Sequence, residues 1–211
     1  MTATPFELDI AAQADALLAF ADAPVPSGLD RLADPVVDRI VFTGMGSSHF
    51  AALPTWRLLV AAGLPAWWVD TATLLDTPQL VSGTTLLVAT SQSGASGEVV
   101  AALDALTPRL TVGITNDTGS PLARHCDVLV PLHSGSEATV STKSYLNTLA
   151  AQRLVATAFG GYPADVADAA AAVRRIVPAA QLAEAARGWQ RAPHRRSSGT
   201  TITPLPPSTP A

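Results

Sequence analysis

The chain has 211 residues, 48% of them hydrophobic and 14% charged, with a formal net charge of -4. That length and apolar share suit one medium domain with a substantial core and exclude disorder throughout. Cys126 is the single cysteine, which excludes a disulfide framework and a four-cysteine zinc site. The sequence shows no signal-like segment and no run near the roughly 20 apolar residues of a spanning helix, so a cytoplasmic protein without membrane contact is expected. Residues 1–187 carry seventeen acidic against ten basic side chains, and no basic aromatic stripe interrupts them. Nucleic acid is therefore not an expected partner. Lys143 is the only lysine beside twelve arginines.

Residues 5–20 set Phe6, Leu8, Ile10, Leu17, Leu18 and Phe20 at helical spacing, and Pro24 and Pro26 end the pattern. This N-terminal helical segment, residues 1–30, is expected to pack against the domain or a partner subunit. Residues 39–43 read as the first buried strand, 54–62 as part of a helix, and 66–69 as the second strand. Residues 84–89 form the third strand and 98–106 the helix after it. Two more short strands follow at 109–115 and 127–131, and 142–159 is an amphipathic helix bounded by Gly160 and Gly161. Strands alternating with helices predict an α/β fold, a doubly wound five-stranded parallel sheet with helices on both faces. The main domain is expected over 31–160, a helical linker over 161–187, and a disordered tail over 188–211. The tail has no acidic residue, five prolines and seven serines or threonines. A frameshift, a premature end of a two-domain protein, or a natural tail would each account for it.

In such sheets ligands sit outside the carboxyl ends of the strands, and the polar clusters fall there. Gly44-Met45-Gly46-Ser47-Ser48-His49 follows the first strand, and Thr90-Ser91-Gln92-Ser93-Gly94-Ala95-Ser96 follows the third. Asn116-Asp117 and Ser134-Gly135-Ser136-Glu137 follow the fourth and fifth. Hydroxyls and amides at helix starts form a neutral-donor cradle for a small phosphorylated ligand. A dinucleotide site is the competitor, with Gly44, Gly46 and Asp70 in suggestive places, but His49 occupies the third glycine of that fingerprint. No Gly-Lys-Ser or Gly-Lys-Thr occurs, which argues against a Walker loop. The histidines and Glu137 lack compact metal-ligand spacing, so no metal is expected. His49 reads as structural or as a donor to a phosphate, and Cys126 as a small buried hydrophobe beside the fifth strand.

Gly46-Ser47-Ser48, Ser91-Gln92-Ser93-Gly94-x-Ser96, Gly113-Ile114-Thr115-Asn116 with Ser120-Pro121-Leu122-Ala123, and Glu137 through Ser141-Thr142-Lys143 occur in this order. Together they resemble the SIS (sugar isomerase) domain family, in particular the first isomerase SIS domain of glucosamine-fructose-6-phosphate aminotransferase-type proteins, over roughly residues 39–159. The resemblance implies a flavodoxin-like three-layer sandwich. It also implies binding of a sugar phosphate, a hexose or hexosamine phosphate, without a cofactor. By the same resemblance Ser91, Gln92, Ser93 and Ser96 match positions that hold the phosphate, Ser48 a serine contacting the sugar or its phosphate, and Ser47 the hydroxylic position beside it. Val140 matches a position whose backbone faces the sugar, and Lys143 a lysine after a Ser-Thr pair. Each serine has a plainer reading as a turn former, and Ser96 as an N-cap satisfying its own helix. Lys143 could pair with Glu137 or lie solvated on the surface.

An aldose-ketose interconversion needs a base to move a proton between neighbouring carbons, and Glu137 is the candidate carboxylate, with Lys143 beside it. The segment from Glu137 to Lys143 is one residue shorter than the family's usual spacing, and no N-terminal nucleophilic cysteine is present, so ammonia transfer from glutamine is not expected. Two functions remain. One is a phosphosugar isomerase or aminosugar-phosphate isomerase/deaminase, acting as a homodimer whose subunits complete each other's sites. The other is a non-catalytic sugar-phosphate sensing module, or the inactive truncated half of an enzyme with two SIS domains.

Overall fold

The computed structural model describes residues 3–34, 36–138, 140–160 and 165–176. Helix α1 (Pro5–Ala11) opens on a capping box: the Thr4 hydroxyl accepts the Glu7 amide, the Glu7 carboxylate accepts the Thr4 amide, and Pro5 takes a first-turn place that needs no donor. Helix α2 (Gln13–Ala21) follows a break at Ala12, so the single pattern expected over residues 5–20 is two helices. Leu17 and Phe20 face inward from α2.

The alternation that follows is β1 (Arg39–Gly44), α3 (Gly46–Ala61), β2 (Ala66–Trp68), α4 (Thr71–Asp76), β3 (Thr85–Thr90), α5 (Gly97–Ala105), β4 (Leu110–Thr115), α6 (Pro121–His125), β5 (Val128–Pro131), α7 (Lys143–Thr157) and α8 (Val166–Ile176). The sheet has five strands in the order β2-β1-β3-β4-β5, every neighbouring pair parallel. The doubly wound five-stranded sheet expected from the sequence is the fold found. Strands β3 and β4 are buried along their whole length, as their near-continuous apolar runs require for strands covered on both faces. Ile40, Phe42, Leu86, Val88, Val112 and Ile114 pack with Leu17, Phe20, Leu59 and Val155 beneath α2, α3 and α7. Val41 and Leu87 turn the other way, onto Leu74 and Ala102 of α4 and α5. The period-two alternation of each strand thus builds two cores, one on either side of the sheet.

Two local differences position the site. Helix α3 starts eight residues before Pro54, which sits inside it. Ala51, Ala52, Thr55 and Leu59 bury the face around that proline, and their packing offsets the roughly 3 kcal/mol that an interior proline costs. The short helices α4 and α6 have caps of their own. Asp70 accepts the Thr73 amide at 3.0 Å, and Ser120 accepts the Ala123 amide at 3.3 Å with Pro121 next in line. Helix α8 falls within the segment read as a linker. Its Ala170 is buried, and Val166 and Val173 pack on the α2 and α7 side of the core. Among the described residues, no helix is long and apolar enough to cross a membrane. Positions 188–211 lie outside the described residues.

Candidate functional site: a serine-lined crevice at the strand reversal

The strand order reverses between β1 and β3, the topological switch point where doubly wound sheets bind ligands. Gly44 ends β1 directly opposite Thr90, the end of β3. A Cβ on Gly44 would lie 2.8 Å from the Thr90 carbonyl oxygen, so only glycine lets the two backbones close at this mouth. From there β1 feeds α3 on one face of the sheet and β3 feeds α5 on the other, and the two helix starts flank the crevice.

Both helix starts lack a side-chain cap. Met45, the N-cap of α3, has no side-chain oxygen to accept a first-turn amide, and Ser47 and Ser48 occupy the first turn. Ser96 is the N-cap of α5, yet its hydroxyl makes no capping bond and instead pairs with the Ser91 hydroxyl at 3.0 Å. The reading of Ser96 as a self-satisfying N-cap therefore does not hold in this structure. First-turn amides have no partner within their own helix, and with the dipole's positive end they favour an anion.

The serine loop is held in shape by β4 and the loop after it. Gly94 has φ +62, and a Cβ there would stand 2.0 Å from the Ser120 hydroxyl. The Gln92 carbonyl accepts the Asn116 amide at 3.0 Å and the Thr115 hydroxyl at 3.2 Å, and the Gly94 carbonyl accepts the Leu122 amide at 3.0 Å. The Gln92 carbonyl is thus engaged by the end of β4 and the residue after it, and the Gly94 carbonyl by α6. Ser93 is exposed and, among the described residues, its hydroxyl accepts only the Ala95 amide, at 3.3 Å, which leaves its own O–H to donate. Beneath the loop, buried Gln152 of α7 donates to the Thr90 hydroxyl at 2.8 Å, while its side-chain oxygen has no partner.

A second group of candidates lies in the loop between β5 and α7. Asn116 joins it to the serine loop: its side-chain oxygen accepts the amide and hydroxyl of Ser134 at 3.0 and 2.9 Å, and its amide nitrogen donates to the Gly135 carbonyl at 2.8 Å. Hydrogen bonds thus run from Gln92 through Asn116 to the start of this loop. Val140, 54% exposed, stands near its far end.

Glu137 is not a free carboxylate. It accepts the amide and hydroxyl of Thr142 at 2.6 and 2.8 Å, the Ser144 amide at 3.1 Å, and the Ser144 hydroxyl, and so caps the start of α7 from outside the helix. Burial alone would raise its pKa, but these hydrogen bonds from Ser144 and Thr142 prevail and hold the carboxyl below its ordinary range. A group so stabilised in its charged form is a weak proton acceptor.

Lys143 pairs with Asp9 rather than with Glu137. Its ammonium meets the Asp9 carboxylate at 2.9 Å and donates to the Ser136 carbonyl at 2.7 Å, with both charged side chains nearly buried. Asp9 also accepts the Ala138 amide at 2.9 Å, and that bond, followed by the one from Lys143, lowers its pKa. No sequence signal marks Asp9, which lies 134 positions from Lys143.

Three further residues singled out by the sequence are His49, Asp70 and Cys126. His49 is buried with its ring stacked on Trp68 of β2 at 4.1 Å and 8°. Burial pushes its imidazole pKa down, and the charge of Asp70 offsets part of this. Asp70, which the dinucleotide reading would place on a ribose, caps α4 through Thr73. Cys126 is half-buried; its thiol donates to the Ala123 carbonyl, and burial pushes its pKa up.

A model of the SIS domain family matches residues 36–158. The chain belongs to that family. This SIS domain is 34% identical over 128 residues to the isomerizing glutamine--fructose-6-phosphate aminotransferase of Pyrococcus horikoshii, an alignment covering 58% of this chain and 21% of the relative. The chain thus spans about a fifth of the length of that relative. Among solved structures, the glucosamine-6-phosphate deaminase of Thermotoga maritima superposes with a TM-score of 0.65 at 21% identity, covering 82% of this chain and 54% of that one. An Escherichia coli CFT073 protein in complex with A5P superposes with a TM-score of 0.63 at 22% identity, covering 72% and 86%. At these identities the superpositions establish the fold.

Proposed function

We propose that this SIS domain binds a phosphorylated sugar, a hexose or hexosamine phosphate, with the phosphate between the starts of α3 and α5. Ser47, Ser48, Ser91, Gln92, Ser93 and Ser96 hold the phosphate, and the backbone at Val140 faces the sugar. The observation that carries this reading is the Ser96 hydroxyl, turned to Ser91 rather than to its own helix. It leaves α5 uncapped beside an uncapped α3, a cost that a phosphate would offset. The domain is of the aldose-ketose isomerase or deaminase type and takes no cofactor, because moving a proton between neighbouring carbons needs none. It works as a cytoplasmic homodimer in which the second subunit supplies proton-transfer groups, a reading supported by the capped state of Glu137.

The same capped state favours a second reading, a module that senses the sugar phosphate without converting it. Ligand binding is tested first. At a hundredfold excess over Kd, fructose 6-phosphate or glucosamine 6-phosphate adds about 2.7 kcal/mol, and so raises Tm by several degrees. Ser93→Ala with Ser96→Ala removes that rise. If no phosphosugar shifts the wild-type transition, the site reading fails. Turnover between hexose phosphates by purified chain would rule out the sensing module.

A further inference from the structure

The clamp built by Asp9 lies outside the residues matched by the SIS family, which begin at 36. Asp9 sits on α1, close to the chain's start, and reaches the loop between β5 and α7 with both carboxylate oxygens: one accepts the Ala138 amide, the other the Lys143 ammonium. Lys143 in turn donates to the Ser136 carbonyl. The two backbone groups flanking Glu137, the Ser136 carbonyl and the Ala138 amide, are therefore both fixed from outside, while the Glu137 carboxylate fixes Thr142 and Ser144 from inside. Between the two sets of bonds lies Val140, which is exposed. Asp9 is 8% exposed. A buried ion pair rarely adds net stability over an apolar pair, because desolvation cancels most of the attraction; what it fixes is a geometry.

We propose that Asp9 is a positioning residue for the sugar end of the site: through Lys143, Ser136 and Ala138 it sets the loop that carries Val140, and leaves the phosphate cradle at Ser91 to Ser96 untouched. This rests on the sugar-phosphate reading given above. The cradle has its own supports in Thr115, Asn116 and Leu122; Asn116 also holds Ser134 and Gly135 at the start of the clamped loop, but it bonds none of Ser136, Ala138 and Lys143. The consequence is selective. Loss of the clamp weakens the part of binding that comes from the sugar and spares the part that comes from the phosphate.

The test compares fructose 6-phosphate with inorganic phosphate by calorimetry on the full chain, together with amide hydrogen exchange. Asp9→Asn is expected to weaken fructose 6-phosphate about tenfold, as a misplaced contact loop does, with inorganic phosphate unchanged. Exchange at Ala138, Thr142 and Ser144 is expected to quicken about tenfold, with that at residues 91–96 unchanged. The double variant Asp9→Asn with Lys143→Met leaves no unpaired buried charge, so it guards against simple unfolding and is expected to give the same selective loss. A variant whose two affinities fall together, or whose exchange quickens evenly over both loops, would overturn the proposal. If wild-type protein binds neither probe, the sugar-phosphate reading falls and this one with it; if wild type binds fructose 6-phosphate and both variants retain it, only the clamp is wrong.

Discussion

Gly94 holds the serine loop in a conformation no other residue takes without strain. Its φ of +62 disfavours a side chain, and a Cβ would run into the Ser120 hydroxyl and the Thr115 hydroxyl at 2.0 and 2.8 Å. Gly94→Ala is expected to cost about 2 kcal/mol or more, from the left-handed backbone and the displaced cap of α6 together. Urea unfolding measures the loss. Because the strain centres on the loop, phosphosugar affinity is expected to fall further than the stability change alone requires; unaltered affinity would show that the loop does not hold the phosphate.

Glu137 makes a second argument at the same scale, with a sign that pH reveals. Its folded pKa lies below the ordinary 4.5 because Ser144 and Thr142 donate to the charged form more strongly than burial opposes it. A depressed carboxylate stabilises the fold above the unfolded pKa, and the contribution fades as pH drops through the lower, folded value. Glu137→Gln is therefore expected to cost about 1–2 kcal/mol at pH 7, the worth of a charge-assisted cap. The deficit should shrink as pH falls below 4.5, where the wild-type group protonates too. Urea unfolding at pH 7 and near pH 3 reads it; an equal deficit at both would mean that the carboxylate's charge plays no part in the cap.

At the scale of elements, the strands were legible because fully buried parallel strands leave only apolar runs, and those of β3 and β4 have little polar interruption. The start of α3 was not. Gly46, Ser47 and Ser48 are weak helix formers, and Pro54 reads as a boundary; burial of Ala51, Ala52 and Leu59 decides the matter, and burial is a property of the folded chain. The start of α6 was present in the sequence as Ser120 followed by Pro121, a cap and a first-turn proline. The serine loop was legible by composition, but its decisive feature was not. That Ser96 turns to Ser91 instead of capping depends on a loop whose Gln92 is held by the end of β4 and whose Gly94 is held by α6. Asp9 lay beyond reach for the same reason, since its partners stand over a hundred positions away.

On the scale of the whole molecule, the chain covers about a fifth of the Pyrococcus horikoshii aminotransferase, and binding and turnover need not require the same share of a protein. The serines proposed to hold the phosphate, and the supports of their loop, lie within this chain. Binding of a phosphosugar is accordingly expected to be independent of protein concentration. Under the proposed isomerase function, proton transfer is different: Glu137 is committed to α7 by four hydrogen bonds, and on that reading the base comes from elsewhere. If a second copy of the chain supplies it, isomerisation per chain falls on dilution in step with the dimer fraction measured by sedimentation, while affinity per chain stays constant. Constant turnover per chain through the dissociation range would place the base within a single chain and remove the need for a partner.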